Sequence, residues 1–589
     1  MKHLAKYALG VEDAIMFGDV DIPSKAKPFE IGYAPFAKAA FIDDGKIIYP
    51  NKDKWYGKWP DFGKIKIHID HWQHNPTARK YARDDVKYTR DLYKHFGSPD
   101  CGDVDSLLAC MVGAVRWRGF AINIDGINNL KNKKQKWLND FKEQTDTKYG
   151  FNVNFNSTET VKKYIKEVMD DTEKIIIEKS SKRVILEQIS KWRVSTVCND
   201  CNGSGCDKCS GGLIATNELH PAAERAINIL TYRYAKKEIE TFNKLICAGR
   251  FHADFNVTGA LSNRMSGTSG LNAQGIKNTK EVRTQFPLAD NGLQLDGGDF
   301  GGFEVSIADA VYNDPVMHEE LLSGKSFHGL LGAKFFDKTY EEICATKGLE
   351  GDKDLYGRSK SGTFALLYMG EAYTLANRVG IPEEQAQRGY DMFIKRYKVL
   401  GEKRKKYVKM FCSMTQPDGI GTRVIWKDPC DYIESLTGFR RHFNIENMIT
   451  KVLFDLAEDP PKSWLSLKIK VIRRDRQQTV CGALRSALFA AAFALMSANV
   501  RAAGNHVIQS TGAEINKNLQ SKIWELQPIG IHEWIVQPLN VHDEVMAPVK
   551  PEFSDKLKNL TEEFVKSNLG LIPLLKIEWS QNLDSWAGK

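Results

Sequence analysis

Residues 293–314, LQLDGGDFGGFEVSIADAVYND, constrain the fold of this chain more than any other stretch. The segment begins with apolar residues, reaches a carboxylate at Asp299 and places Glu304 five residues later. Apolar residues then follow at helical spacing: Val305, Ile307, Ala308 and Val311. The pattern predicts a strand that ends on Asp299 and turns into a helix, which is a good platform for a metal ion. The alternative is a solvated Asp in a glycine-rich loop.

A second acidic segment occupies residues 539–545, LNVHDEV. Asp543 and Glu544 stand between apolar residues, and the flanking valines predict two strands of a hairpin with the acids at its tip. Unpaired charge is unfavourable in such a setting. A cation is therefore the expected partner of these carboxylates.

Four cysteines are clustered at residues 198–209, CNDCNGSGCDKC. Two C-x-x-C pairs separated by four residues suit a tetrahedral thiolate site, and the glycines allow the sharp turn that such a site requires. The predicted ligands of a structural Zn²⁺ are Cys198, Cys201, Cys206 and Cys209; disulfides are the alternative. The eleven cysteines of the chain are an odd number, which favours a reducing compartment with one metal site.

Size and composition indicate a globular chain of several domains with an affinity for polyanions. The chain has 589 residues, 42% of them hydrophobic, and a formal charge of +9, which favours binding to nucleic acid. The N-terminus carries no cleavable signal pattern, so a cytoplasmic location is expected. The longest apolar run, residues 487–496, is too short to span a bilayer, so a buried helix and no membrane partner are expected.

Two sets of polar and aromatic residues step by four along predicted helices. Lys360, Phe364 and Tyr368 place one cation and two aromatic rings on one helical face, which suits a site for a triphosphate and a base. A core-facing aromatic stripe is the alternative, although a leading lysine fits poorly with a core. The second set is Arg501, Asn505 and Gln509.

These motifs together resemble the family A DNA polymerases, the bacterial polymerase I kind and its phage relatives. DFGGFE at 299–304 resembles the family's D-Y-S-Q-I-E, and HDE at 542–544 matches its H-D-E. The stripe from Lys360 resembles the fingers helix K-x-x-x-F-G-x-x-Y-G, with Ala365 for its first Gly and Tyr356 where its outer Arg stands. Arg358 is the expected substitute for that Arg. Asp296 is a rival to Asp299 but has no Glu five residues on.

The resemblance implies an α+β right-hand polymerase fold and template-directed addition of dNTPs to a primer 3′ end, in phage replication. Asp299 and Asp543, with Glu544 beside them, would serve two Mg²⁺ ions. Lys360 would neutralise the triphosphate. The nucleotide-binding residues implied by the resemblance are Glu304, which fills the space of a ribose 2′-hydroxyl, His328, Arg358, Phe364 and Tyr368.

The same resemblance implies contacts with primer–template DNA. Arg264, in SNRMS, lies where the family has its T-G-R-L-S-S arginine, and Arg283 matches its R-x-x-F. Arginine at such a place reads acceptors of the minor groove, which all correct pairs share. The remaining implied DNA-binding residues are Arg501, Asn505, Gln509 and His542.

The N-terminal part resembles a truncated 3′–5′ exonuclease domain. Residues 1–10 and 81–89 are predicted helices, and Tyr81 and Asp85 resemble the family's Y-x-x-x-D motif. The Asp-x-Glu strand and the second Asp that precede this motif have no counterpart. We therefore expect no 3′–5′ exonuclease activity from this chain alone, and a separate polypeptide is expected to complete the domain if the activity exists.

The predicted domain order is a partial exonuclease-like, ribonuclease H-like domain, a thumb with a zinc-knuckle insertion, and palm and fingers in alternation. The boundaries are 1–105 for the first domain, 106–240 for the thumb with the knuckle at 198–209, 241–330 for the first palm part, 331–410 for the fingers with the helix at 358–370, and 411–589 for the second palm part with motif C at 541–545. A basic insertion at about 449–490 has no assigned role.

Two other functions remain open from the sequence. A single-subunit RNA polymerase shares the two-Asp palm, but Glu304 and the HDE motif argue against it. A non-enzymatic, zinc-bearing DNA-binding replication factor is the second alternative, and it predicts no nucleotide incorporation.

Overall fold

The computed structural model describes residues 41–43, 46–48, 76–98, 102–150, 152, 154–178, 182–198, 201–202, 213–268, 271–349, 351–419, 421–465, 470–473, 476–528, 530 and 532–589. The chain divides into two compact units, Met1–Asp103 and Val104–Lys589. In the first unit, strands β1 (Phe41–Asp43) and β2 (Lys46–Ile48) form an antiparallel hairpin, and helix α1 spans Pro76–His95. The predicted helix at 81–89 lies within α1; the one predicted at 1–10 lies outside the described residues.

The second unit opens with a largely helical region. Its elements are α2 (Val104–Arg118), α3 (Ile124–Tyr149), α4 (Thr158–Lys166), α5 (Asp171–Glu178), α6 (Arg183–Ile189), β3 (Arg193–Val197), β4 (Leu213–Leu219) and α7 (Pro221–Ala248). The two long helices α3 and α7 pack through Leu138, Ala235 and Ile239. The antiparallel ribbon β3–β4 carries the cysteine segment between its strands.

A short strand pair and a strand–helix unit come next, followed by a helical region. Its elements are β5 (Phe255–Asn256), β6 (Ser266–Gly267), α8 (Lys280–Arg283), β7 (Gln294–Phe300), α9 (Phe303–Tyr312), α10 (Pro315–Leu322), α11 (Phe327–Phe335), α12 (Tyr340–Ala345), α13 (Leu355–Leu367), α14 (Ala372–Val379), α15 (Glu383–Arg396) and α16 (Lys398–Phe411). Helices α9 to α11 and α13 to α16 share one apolar core.

The remaining elements complete the unit. They are β8 (Met414–Thr415), β9 (Ile425–Trp426), β10 (Tyr432–Glu434), β11 (Arg440–His442), α17 (Asn444–Glu458), α18 (Lys462–Leu465), β12 (Lys470–Arg473), β13 (Arg476–Thr479), α19 (Val480–Trp524), β14 (Leu539–Val541), β15 (Glu544–Val549), α20 (Pro551–Asn568) and β16 (Ile577–Leu583). The unassigned segment at 449–490 thus comprises the end of α17, α18, the β12–β13 hairpin and the start of α19.

A four-stranded antiparallel sheet in the order β14-β15-β7-β16 holds both acidic segments. Strand β7 is an inner strand, and its Asp299 pairs with Glu544 of the neighbouring strand β15. Close packing explains the two glycines before Asp299, because a Cβ at Gly298 would lie 2.6 Å from the Trp579 ring and one at Gly297 would lie 2.6 Å from Met546 Sδ. The predicted strand, helix and hairpin are all confirmed.

The apolar run at 487–496 forms part of α19, but the prediction that it is buried is wrong for most of its length. Ala492 is its one fully buried residue. The run packs against α17 and leaves its other face exposed, because a helix that meets neighbours on one side buries only that side. Among the described helices, α19 alone is long and apolar enough to cross a membrane by length and composition. In its most apolar stretch of 18 residues, 17% of the residues are buried.

Candidate active site

The two predicted metal-binding aspartates lie at neighbouring strand ends. Asp299 is the penultimate residue of β7, and Asp543 lies in the tight turn between β14 and β15, where His542 has a positive φ of 60°. Burial raises the pKa of Asp543 to about 6, and the Glu304 and Asp299 carboxylates add to the rise. Burial also raises the pKa of Asp299, with Lys589 opposing the rise and Glu544 adding to it. Negative charge is therefore concentrated where β7 ends and β15 begins, at one end of the sheet.

This arrangement fits a hard cation that needs few protein ligands. Mg²⁺ is usually held by one or two carboxylates, with water and phosphate oxygens completing its shell. Asp299 is half exposed, so such ligands have access to it. Within the described part of the chain, no group of three or more His, Cys, Asp or Glu side chains is arranged to hold a metal. The exposed Asp299 carboxylate therefore fits a cation whose remaining ligands are water or phosphate oxygens.

Asp296, the rival to Asp299, has a structural environment. Its side chain is fully buried and accepts hydrogen bonds from Gln294 Nε2 at 3.0 Å, Ser554 Oγ at 2.6 Å and the Asn582 backbone N–H at 2.9 Å. A buried carboxylate with three donors is satisfied without a metal. Asp296 thus joins β7 to α20 and β16, and Asp299 keeps the metal assignment.

Glu544 is occupied by donors from this chain. Arg283 Nη1 lies 3.2 Å from Glu544 Oε2, and Trp586 Nε1 donates a hydrogen bond to Oε1 at 2.5 Å. The Arg283 guanidinium also stacks 4.4 Å above the Trp586 ring. Glu544 therefore anchors these two side chains in the structure. The DNA contact of Arg283 stays a prediction.

Glu304 forms an ion pair with Arg264, the arginine predicted to contact DNA. Arg264 Nη2 lies 2.5 Å from Glu304 Oε1, and both side chains are mostly buried. Burial and the adjacent Glu304 charge raise the pKa of the Tyr368 phenol. Three elements therefore meet at Glu304. Glu304 itself lies in the first turn of α9, Arg264 comes from the loop after β5, and Tyr368 lies at the end of α13.

The stripe on α13 has the predicted geometry. Phe364 and Tyr368 are stacked with centroids 6.0 Å apart, and the exposed Lys360 lies 5.9 Å from the Phe364 ring. His328, on α11, meets Phe364 edge-on at 5.2 Å. Burial and the Lys360 charge lower the pKa of His328 to about 4, so this ring is neutral at physiological pH. The structure brings these four residues to one place.

Arg358 has a different environment from the one expected of a triphosphate ligand. Its Nε donates to the Val379 carbonyl at 2.7 Å and its Nη2 to the Gly380 carbonyl at 3.0 Å, and its guanidinium lies 5.0 Å from the Phe336 ring centroid. These carbonyls end α14, where a cation is favourable. Arg358 therefore has a structural role that the sequence did not indicate, and its nucleotide contact stays a prediction.

Helix α19 carries the second stripe and positions the acidic turn. Arg501 is exposed, and Asn505 and Gln509 are half-buried on the same face. Farther along, Asn516 Nδ2 donates to the His542 carbonyl at 2.5 Å, and Lys517 Nζ lies 2.6 Å from Asn263 Oδ1. Sequence analysis missed these last two contacts, although Asn516 stands seven residues, two helical turns, after Gln509.

Comparison with known proteins supports the predicted fold and the resemblance to family A DNA polymerases. The family model for DNA polymerase family A matches residues 211–430, which include both Asp299 and the α13 stripe. Residues 211–430 therefore resemble a family A DNA polymerase. It is 24% identical to DNA polymerase I of Mycobacterium tuberculosis over 181 residues, 30% of this chain and 19% of that protein. It is 23% identical to DNA polymerase I of Deinococcus radiodurans over 198 residues, 33% of this chain and 18% of that protein.

The fold also has a structural relative. The POL domain of Pol1 from M. smegmatis, in complex with DNA primer-template and dNTP, superposes with a TM-score of 0.52 at 17% identity. The likeness covers 90% of this chain and 76% of that one, which supports the predicted α+β right-hand fold. The sequence matches span about a fifth of the length of the DNA polymerase I relatives.

Two predicted features of this chain lie partly outside the described residues. Cys198 follows β3 and is buried, and Cys201 is half-buried, whereas Cys206 and Cys209 lie outside the described residues. Pairing of Val197 with Leu213 joins the two strands that flank the cysteine segment. Tyr81 and Asp85 both lie on α1. The zinc site and the exonuclease motif stay predictions.

Proposed function

We propose that this chain is a DNA-directed DNA polymerase that adds deoxynucleotides to a primer 3′ end by two-metal phosphoryl transfer. The observation that carries the proposal is the convergence of Asp299 and Asp543, from distant parts of the sequence, at one edge of the sheet. The M. smegmatis relative is a complex with primer-template and dNTP, and the same two partners are proposed here.

Asp299 and Asp543 would hold two Mg²⁺ ions at this edge. The ions supply activation of the primer 3′-oxygen and stabilisation of charge on the triphosphate and the leaving pyrophosphate. The raised pKa of Asp543 supports the assignment, because carboxylates crowded together favour a cation over mutual repulsion. Glu544 would orient this edge through Arg283 and Trp586.

The α13 stripe would form the nucleotide site. Lys360, exposed at its head, would neutralise the triphosphate and supply a proton to the leaving group. Phe364 would pack against the sugar, and Tyr368 against the nascent base pair. His328, neutral because of its burial beside Lys360, would offer a hydrogen bond without adding charge. Glu304 would exclude a ribose 2′-hydroxyl sterically.

The DNA would lie against Arg264 and the face of α19 that carries Arg501, Asn505 and Gln509. A pocket beside Asp543 is lined by Arg264, Gln274, Asn516 and His542, donors suited to acceptors in the minor groove. The net charge of +9 favours the phosphate backbone. The contacts of Arg283, Arg358 and His542 belong to the same proposal.

Three finer parts of the proposal rest on sequence alone. The cysteines at 198–209 would hold a structural Zn²⁺ at the tip of the β3–β4 ribbon. Residues 1–105 would be an exonuclease remnant around Tyr81 and Asp85, completed by a separate polypeptide. The polymerase would serve phage DNA replication.

Primer extension with dNTPs and with rNTPs tests the proposal. We expect Mg²⁺-dependent, template-directed extension with dNTPs and strong discrimination against rNTPs. Efficient synthesis from rNTPs would favour the RNA polymerase alternative. DNA binding without incorporation of either would favour the non-enzymatic, zinc-bearing replication factor.

A further inference from the structure

A lysine side chain faces the carboxylates at the end of β7. Lys589 Nζ lies 3.3 Å from Glu544 Oε2 and 3.6 Å from Asp299 Oδ2, and its side chain is 15% exposed. Asp299 and Glu544 are directly paired residues of β7 and β15, so their side chains leave the same face of the sheet. One ammonium group thus bridges two carboxylates at the end of the sheet where the metal is proposed to bind.

The segment before Lys589 is anchored, which fixes the position of this ammonium group. Trp586, three residues earlier, is fully buried. Its backbone N–H donates to the Phe286 carbonyl at 2.9 Å, and its ring packs edge-on against Phe286 with centroids 5.8 Å apart. Its indole N–H donates to Glu544. The short helical turn Trp586–Gly588 then delivers Lys589 to the carboxylates.

The local charges divide between two centres. Asp543 is influenced by the cations Arg264 and Lys360. Asp299 has Lys589 as its opposing cation, against the like charges of Glu544 and Glu578. Arg283 lies against Glu544 and is held by the Trp586 ring. Lys589 is therefore the cation that opposes the Asp299 charge, and an ammonium group on an alkyl stem is displaced more readily than a stacked guanidinium.

We propose that the Lys589 ammonium is an intramolecular counter-ion that competes with a divalent cation for Asp299. A divalent cation that binds Asp299 Oδ2 must displace Lys589, because the ammonium lies against that oxygen. The inference rests on the proposed function, which places Mg²⁺ at Asp299. The lysine would set the metal concentration that the polymerase needs and keep the carboxylates neutralised without metal.

The test is the binding of Mn²⁺, as a spectroscopic substitute for Mg²⁺, to the DNA-free full chain, followed by electron paramagnetic resonance. Lys589→Met is expected to bind Mn²⁺ up to about fivefold more tightly, the range for loss of a partly exposed competing ion pair. Lys589→Arg keeps the charge and is expected to stay close to wild type. Lys405→Met, which removes an exposed lysine from α16, controls for net charge.

Asp299→Asn separates the two levels of the proposal. If Asp299→Asn abolishes the site while Lys589→Met binds Mn²⁺ as wild type does or more weakly, the counter-ion role is refuted and the metal site stands. If Asp299→Asn leaves Mn²⁺ binding unchanged, the metal assignment of the proposed function fails, and the inference fails with it. Equal tightening by Lys405→Met would reduce the effect to net charge and overturn the inference.

Discussion

Asp543→Asn should stabilise the protein in the absence of metal while removing its activity. The pKa of Asp543 is raised from the ordinary 3.8 to about 6 by burial and by the Glu304 and Asp299 carboxylates. The native state therefore holds this proton more tightly than the unfolded state, and folding stability falls as pH rises from about 4 through about 6. Above that range the charged side chain costs at most about 3 kcal/mol. An uncharged amide of the same shape avoids this cost.

The assay is thermal unfolding with excess chelator at pH 7.5 and pH 5. We expect a higher Tm for Asp543→Asn at pH 7.5, and a difference at pH 5 that corresponds to about half the free energy, because wild-type Asp543 is then largely protonated. Asp140→Asn, at an exposed site on α3, is the matched control and should change little at either pH. A variant no more stable than wild type at pH 7.5, or a gain independent of pH, would refute the reasoning.

Three further predictions follow from other sites. Glu304→Ala should raise the incorporation of rNTP relative to dNTP by about tenfold to a hundredfold, measured as a ratio of kcat/KM values; an unchanged ratio would remove Glu304 from this role. The purified chain should contain about one Zn²⁺, and Cys198→Ser should lower the Tm where Cys110→Ser, at an exposed site on α2, does not; metal-free protein of unchanged Tm would contradict the zinc site. Incubation with labelled primer–template and Mg²⁺ without dNTPs should leave the primer intact, whereas steady 3′ shortening that Asp85→Ala abolishes would show a complete exonuclease.

The elements around the acidic residues were predictable because their signals are local. Apolar flanks and a turn determine the β14–β15 hairpin, and the change from strand to helical spacing after Asp299 marks the start of α9. The stripe of Lys360, Phe364 and Tyr368 follows from helical periodicity alone. These local signals predict which element carries each side chain. The structure shows that the elements lie close together.

Contacts between distant segments gave no such signal. Trp586 and Lys589 reach Glu544 and Asp299 through tertiary packing, so no local pattern marked them. Arg358 was expected at the nucleotide as the substitute for the family Arg that Tyr356 replaces, but its guanidinium donates hydrogen bonds to carbonyls at the end of α14.

Composition also misled at α19, for a physical reason. The run at 487–496 is apolar but rich in alanine. Its composition does not indicate which face of the helix packs against another element. Packing against α17 leaves much of it exposed, so apolar content predicted the helix and overestimated its burial.

The most direct test of the central claim is single-turnover extension by Asp299→Ala and Asp543→Ala, measured beside their affinity for primer–template DNA. We expect each variant to lose nucleotide addition while its affinity stays within about twofold of wild type, because phosphate contacts with basic residues dominate DNA binding. Extension by either variant at a rate near that of the wild type would contradict the assignment of these two carboxylates to the chemistry.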